Sequence, residues 1–338
     1  MNIVKVIVGQ QVKRLIETLV LMLIFLYQDN YIMKTIYFII LFTFVSCQNS
    51  VPDFQESNAY KLLMKQCEFG PRNPGSEGYY SCRAFIAEKL ETFSDTVIYQ
   101  DFTFQEQKNK ISYDSQNLIG RFNPESEFQT IISAHWDTRP WADSDQDKKN
   151  HDKPILGAND GASGVAILLE LARIFSKNRP PIGVSLVFFD AEDLGVAGKN
   201  GTYCRGSDFF ARNLPIPKPN EAINLDMVGD KELNIPIERN SYRFHPTLVK
   251  KLWSRAKEMG LNAFEYRLDI PIYDDHVPLH EIAGIPAINI IDFRYPNKNI
   301  NYWHTLNDIP ENCSAESLGQ VGELIVDYIY NSSLKNLK

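Results

Sequence analysis

IISAHWDTRPWADSDQDKKNHDKPILGANDGASGVAILLE, residues 131–170, decides the fold. It opens on the β-branched apolar pair Ile131-Ile132, as a buried strand does, and then presents His135-x-Asp137. A polar loop leads to Gly157-Ala158-Asn159-Asp160-Gly161-Ala162. An apolar-periodic run, Val165, Ile167, Leu168 and Leu171, then reads as a helix to about Phe175. A His and an Asp therefore sit at a strand's C-terminal end, and another Asp sits where a helix starts. Open α/β sheets place their ligands at that edge. Imidazole and carboxylate side chains together suit zinc.

The segments on either side repeat the theme. Helices are expected over Tyr60–Cys67, Tyr79–Thr92, Phe244–Met259 and Ala315–Tyr330, and another, capped by Ser207, through Asn213. Strands are expected over Val97–Phe104, Asn117–Phe122, Gln129–Ser133, Gly183–Asp190, Ala222–Asp226 and Ile285–Ile291. Strands alternating with helices predict an α/β single domain: a central, mostly parallel, twisted mixed sheet flanked by helices on both faces. A chain of 338 residues has length for one large core or two modest ones. The net charge of −7, without a basic stripe, argues against a polyanion partner such as nucleic acid.

Before that domain lie two apolar stretches. The second starts at an internal Met33-Lys34-Thr35 and runs to Phe44-Val45-Ser46-Cys47. A basic residue, a short apolar run and a small residue before a cut site make a secretory signal. The run is short for a bilayer span, which needs about 20 residues. The end of the run resembles a bacterial lipobox, which implies lipidation at Cys47. The organisation expected is thus an upstream extension over 1–32, a signal peptide over 33–47, a tether over 48–53 and a catalytic domain over 54–338. That implies a bacterial lipoprotein, exported to the periplasm or held on the outer membrane by its lipid anchor, and monomeric. Of the other four cysteines, Cys67 and Cys82 are the first pair to test for a disulfide, against the reading that all are buried free thiols.

Four further segments place charge at or after buried strands: Phe189-Asp190-Ala191-Glu192-Asp193, Asn224-Leu225-Asp226, Tyr273-Asp274-Asp275-His276 and Tyr302-Trp303-His304-Thr305. Carboxylates beside apolar runs are costly unless paired or bound to a cation. So many acidic clusters, with His135 and His304, predict a metal site rather than a set of helix caps. His276 and His280 read as structural, Asp275 as a cap or orienting group, Arg72 as an ion-pair partner, and Asp143, Asp145 and Asp147 as a solvated loop. Trp141 lines the site or packs, and His151 and His245 are assigned nothing.

HWDTRPWAD, GANDGASG, FFDAED, NLDMVGD, DDHVPLHEIAGIP and WHTLND together resemble, in order, the motifs of the zinc-aminopeptidase fold of peptidase family M28. The resemblance runs from about Tyr60 to Tyr330. It is narrower to the glutaminyl cyclase branch, and most of all to the cyclases of Bacteroidetes-type bacteria. It implies a glutaminyl-peptide cyclotransferase, acting on N-terminal glutaminyl peptides or proteins, with one zinc held by Asp160, Asp193 and His304. Catalytic roles would fall to Glu192, Asp226 and Asp274, and substrate contacts to Trp303, Tyr203 and Phe293. Glu192 would shuttle the proton, and Asp226 and Asp274 would share one. In the family's dinuclear aminopeptidases the counterparts His135, Asp160, Asp193, Asp226 and His304 would hold two zincs, so His135 and Asp226 are either ligands of a second metal or groups behind the first. Asp274 favours the cyclase, because the peptidases tend to have Ser there. Tyr203-Cys204-Arg205-Gly206-Ser207 departs from the bacterial cyclases, which have Trp before the Cys. A non-catalytic binding lipoprotein with a structural metal is the third reading, and the open coordination argues against it.

Overall fold

The computed structural model describes residues 16–19 and 51–332. The chain divides into two units, Met1–Ser50 and Val51–Lys338, and the sheet with its helices belongs to the second. Apart from 16–19, which are helical, the expected extension and signal run with Cys47, and the start of the tether, lie outside the described residues. No helix among the described residues is long and apolar enough to cross a membrane.

In chain order the elements are α1 (Glu56–Glu68), α2 (Glu77–Phe93), β1 (Thr96–Gln105), β2 (Ser112–Phe122), β3 (Gln129–His135), α3 (Ala162–Lys177), β4 (Gly183–Phe189), α4 (Arg205–Arg212), β5 (Glu221–Asp226), β6 (Ile235–Ile237), α5 (Arg239–Phe244), α6 (Pro246–Met259), β7 (Phe264–Leu268), α7 (His276–Glu281), β8 (Ala287–Ile291), the short hairpin β9 (Pro296–Asn297) and β10 (Ile300–Asn301), and α8 (Ala315–Asp327). The main sheet has the order β1-β2-β4-β3-β5-β8. Its first two pairings are antiparallel and the remaining three parallel. Side chains alternate across each strand. Ile132, Leu186, Phe188, Ile223 and Leu225 enter one core with α1, α2, α3, α6 and α8. Ile131, Val187, Phe189 and Ala222 enter a second core with Phe210 of α4 and Leu279 of α7. Both faces are covered, which is why these strands read as unbroken apolar runs.

Parallel pairing aligns the strand ends. His135 lies opposite Phe189, and Asp226 opposite Ile291. The loops after β3, β4, β5 and β8 therefore open on one sheet edge.

Several boundaries differ from the sequence reading for identifiable reasons. Ser207 lies inside α4 rather than capping it. Cys204 stands at the N-cap in a left-handed conformation with φ 55°, and the Ser207 hydroxyl donates to Asp275 at 2.5 Å. The helix expected over Phe244–Met259 breaks at His245, whose backbone, at φ −147° and ψ 66°, leaves the helical region before Pro246. The terminal helix widens into a π turn over Tyr328–Ser332. Cys67, Cys82, Cys204 and Cys313 are all buried free thiols, so the Cys67–Cys82 bridge is not formed. Those two sit on separate helices as small core hydrophobes, and burial pushes each thiol up to about 12. Arg72 is not an ion-pair partner: it is fully buried and donates to the carbonyls of Trp136, Leu156 and Gly157 at 3.2, 2.8 and 2.7 Å.

Glu238 fixes the segment that precedes α7. Its carboxylate accepts from the amides of Asn240 at 2.8 Å, Ser241 at 2.5 Å and Ile272 at 2.8 Å. Burial pushes this carboxyl up, but His276 Nε2 at 3.3 Å and the two capping amides outweigh it and hold it at about 2. A depressed folded-state pKa stabilises fully above the unfolded value, about 4.3, and the contribution is lost as pH falls through about 2. The Tm gap between wild type and Glu238→Gln should thus narrow steadily from pH 5 to pH 2. The contribution lost is on the order of 3 kcal/mol. A gap independent of pH over that range would remove this role.

Candidate active site

The site grows from the end of β3. His135 Nε2 lies 3.0 Å from Asp160 Oδ1 and 3.3 Å from Asp226 Oδ1, and its Nδ1 lies 3.6 Å from Asp137. Asp160 ends the loop that feeds α3. The following Gly161 lies against the imidazole: a Cβ there would fall 2.7 Å from His135 Cε1. Asp308 holds this loop from the far side, accepting from the amides of Asn159 at 2.7 Å and Asp160 at 3.2 Å.

The turn after β4 carries the next two groups. Ala191 takes a left-handed φ of 55°, which swings Glu192 and Asp193 toward Asp160. Asp137 fastens the turn, accepting from the amides of Glu192 at 3.0 Å and Asp193 at 3.1 Å. Asp193 Oδ1 meets His304 Nε2 at 3.0 Å, and Asp160 Oδ2 lies 3.7 Å from the same nitrogen. Arg139 Nη1 reaches Asp193 Oδ1 at 3.3 Å, while its other nitrogens bind Asp143 at 2.7 Å each. Glu192 accepts a thiol hydrogen bond from Cys204 at 3.2 Å. Met227 and His304 also have positive φ, 49° and 57°. Non-glycine residues in that region cost about 1–3 kcal/mol each and gather at functional sites.

These groups open into a cleft of about 290 Å³. Asp160, Glu192, Asp193, Asp226, Asp274 and His304 supply its polar floor. Tyr203, Phe293 and Trp303 wall it, with Ile270–Tyr273 on one lip and Ala197, Gly198 and Asn200 on the other. Trp303 stacks on His304 with centroids 3.6 Å apart, and Phe293 meets Trp303 at 5.2 Å. Gly195 underlies the Tyr203 ring, where any Cβ would collide with it. Asp274 is anchored rather than free: Oδ2 accepts from Asn289 and Oδ1 from the Asp275 amide, both at 2.5 Å. No direct hydrogen bond joins Asp274 to Asp226 among the described residues.

The charge balance calls for a cation. Arg139 is already engaged with Asp143 and Asp193, which leaves His135 to face Asp137, Asp160 and Asp226. An unpaired buried charge costs several kcal/mol. In response, burial pushes Asp193 up to about 7, burial and Asp274 push Asp226 to about 8, and burial followed by Asp193 and Asp274 raises Glu192 well above its ordinary range despite the nearby His135. Burial and Arg139 hold His304 down at about 3, which keeps the neutral imidazole a ligand requires. Asp160 Oδ2 and Asp193 Oδ2 are buried without a hydrogen-bond partner. Orphaned carboxylate oxygens around a neutral His are what a zinc site provides. Donor atoms of Asp160, Asp193 and His304 all lie within 4.8 Å of one another. Tetrahedral ligands at zinc distances are about 3.3 Å apart, so the set fits. His135, Asp160 and Asp226 form a second such set.

The M28 peptidase family model matches residues 117–329, more than half the chain. The chain belongs to peptidase family M28. Among solved structures, it is similar to the glutaminyl cyclase of Tannerella forsythia, with a TM-score of 0.79, 38% identity, and coverage of 83% of this chain and 99% of that one. It is equally similar to a leucine aminopeptidase precursor from Bacteroides thetaiotaomicron, with a TM-score of 0.79, 37% identity, and coverage of 83% and 99%. The glutaminyl-peptide cyclotransferase of the snake Boiga dendrophila is 24% identical over 322 aligned positions, covering 84% of this chain and 82% of its own.

Every M28 site residue expected from sequence except His135 reaches the cleft, and His135 lies behind it. His151 bonds the Asp145 carbonyl, His245 faces Glu221, and His280 stacks on Phe244, so none of them joins the site. Trp141 packs under Lys108 and Arg139. Of the residues that hold the site together, Asp137 was singled out as a strand-end carboxylate but not as the acceptor of the Glu192 and Asp193 amides, and Arg139 and Asp308 were not singled out. Their one signal was adjacency to the motifs that contain them.

Proposed function

We propose that this M28 protein is a glutaminyl-peptide cyclotransferase, closing N-terminal glutamine to pyroglutamate with release of ammonia. The observation that carries the reading is a cleft of about 290 Å³, room for a single residue, lined by Glu192 and Asp274 together with the stacked Trp303–His304 pair. Likeness to the Tannerella forsythia cyclase over nearly its full length supports it. Zinc held by Asp160, Asp193 and His304 supplies, when bound, a Lewis acid for the γ-carboxamide oxygen.

The chain's own residues do the rest. Trp303, Phe293 and Tyr203 hold the glutamine folded back, so that its α-amine faces its own γ-carbon. That orientation replaces a costly search. As the new C–N bond forms, Glu192 takes a proton from the attacking amine and returns it to the departing amide nitrogen, which leaves as ammonia. Asp274, held rigid by Asn289 and the Asp275 amide, accepts from the amine and keeps its lone pair aimed. Asp226, bonded to His135, closes the same wall. Export, lipidation at Cys47 and a monomeric state belong to the same proposal and rest on the sequence alone.

A second reading, a dinuclear aminopeptidase, is favoured by the His135–Asp160–Asp226 set and by likeness to the leucine aminopeptidase precursor. One assay separates the two: ammonia and naphthylamine release from glutamine β-naphthylamide, with the zinc-to-protein ratio determined on the same sample. Ammonia without amine at one zinc per chain is expected. Free amine from leucine or alanine analogues at two zincs per chain would overturn the cyclase. Asp274→Asn should lower ammonia release by about 10²-fold or more, with the zinc content unchanged. Retained cyclisation in that variant would remove Asp274 from the mechanism.

A further inference from the structure

We propose that the exposed apolar row formed by β7 and the residues just after it, Tyr266, Leu268 and Ile270, receives the residues that follow the substrate's N-terminal glutamine, and that it selects extended, uncharged, apolar segments. This rests on the cyclase reading above.

Tyr266, Leu268 and Ile270 are 58%, 47% and 48% exposed. β7 carries a register irregularity between Glu265 and Leu268 and ends before Ile270, but exposure still alternates: Tyr266, Leu268 and Ile270 are exposed while Glu265, Arg267 and Asp269 are half-buried, so the three share the exposed side. Exposed apolar residues scattered singly need no explanation, but a row of three does. The row runs about 13 Å, the reach of about four extended residues. Its last member, Ile270, also forms the lip of the catalytic cleft, so the row continues directly out of the site. The cleft volume of about 290 Å³ holds one glutaminyl residue, and the rest of any polypeptide substrate must leave over a lip. β7 pairs only with β6, so its other edge has no strand partner among the described residues. An extended segment can use such an edge for main-chain hydrogen bonds.

The charges of the same segment select against charged partners. Arg267 pairs with Glu265 at 3.0 Å and with Asp269 at 3.2 Å, and Arg294 pairs with Asp269 at 2.8 Å. A charged substrate side chain laid here would lose solvent and find no unpaired opposite charge in this network.

The test measures ammonia release from Gln-Phe-Leu-Val-amide, Gln-Gly-Gly-Gly-amide, Gln-Glu-Lys-Glu-amide and glutamine β-naphthylamide by the zinc-loaded protein and by a Tyr266→Ser/Leu268→Ser double variant. Both positions are exposed and lie outside the catalytic machinery. The wild type should favour the apolar peptide at least fivefold in kcat/KM over the other two peptides. The double variant should lose that preference through KM, with turnover of the naphthylamide unchanged. Equal kinetics for wild type and variant on every peptide would overturn the inference while leaving the cyclase reading intact. A concentration-dependent dimer abolished by the double variant, with peptide kinetics unchanged, would overturn it in favour of a second copy covering the face. A wild-type protein that releases no ammonia from any substrate would defeat the cyclase reading and this inference with it.

Discussion

Glu192→Gln should slow ammonia release by about 10²- to 10⁴-fold, the usual worth of a positioned general base, while KM and Tm stay nearly unchanged. The substitution is close to isosteric. The amides of Glu192 and Asp193 remain held by Asp137, and the Cys204 thiol retains an acceptor in the glutamine oxygen. What disappears is the group that can take and return a proton. Burial, with Asp193 and Asp274 close by, raises the Glu192 carboxyl, so the acid limb of the wild-type kcat/KM profile should lie above the ordinary carboxylate range. That limb should be missing from the residual activity of the variant. A variant that keeps full turnover, or the same acid limb, would show that the proton is handled elsewhere.

Asp160→Asn should bring the zinc-to-protein ratio close to zero and lower turnover by more than about 10³-fold. Asp160 faces both candidate sets, with Oδ1 toward His135 and Oδ2 toward His304, so no rearrangement of one set spares the other. The thermal consequence is separable from the catalytic one. Zinc at a thousandfold excess over its dissociation constant stabilises the folded state by about 4 kcal/mol, so a chelator should lower the wild-type Tm by several degrees. The Tm of Asp160→Asn should not respond to the chelator. A variant that still takes up stoichiometric zinc would place the metal away from Asp160.

The sheet was legible because it rests on a local pattern: unbroken apolar runs marked the parallel strands. Charged residues at or after those runs, and at the start of the helix that follows Asp160, predicted a metal site, while the choice of Asp160, Asp193, Asp226 and His304 among them came from the resemblance to family M28. What the layer behind does was not legible, because its residues act on backbone far away in sequence. Asp137 binds amides 55 and 56 positions on, and Asp308 binds amides nearly 150 positions back. Arg72 looked like half of an ion pair because a charged residue in a turn usually is one, yet the partners waiting in the core were carbonyls. The short β6 and β7 escaped notice because Pro236 interrupts one and charged residues alternate through the other. The break at Pro246 was readable and was overridden by the apolar periodicity on either side.

Arg72 also separates ancestry from cooperativity. The shared family region begins at residue 117, but the loop that carries Asp160 hangs from a guanidinium 45 residues before that boundary. A chain cut at the family boundary would keep every catalytic group and strand its catalytic loop, with carbonyls of Trp136, Leu156 and Gly157 left bare in the core. In this protein the smallest piece that can inherit the chemistry is larger than the piece that identifies its lineage. Domain swaps and minimal versions should be drawn from the helices that precede the sheet, not from the first strand of the family region.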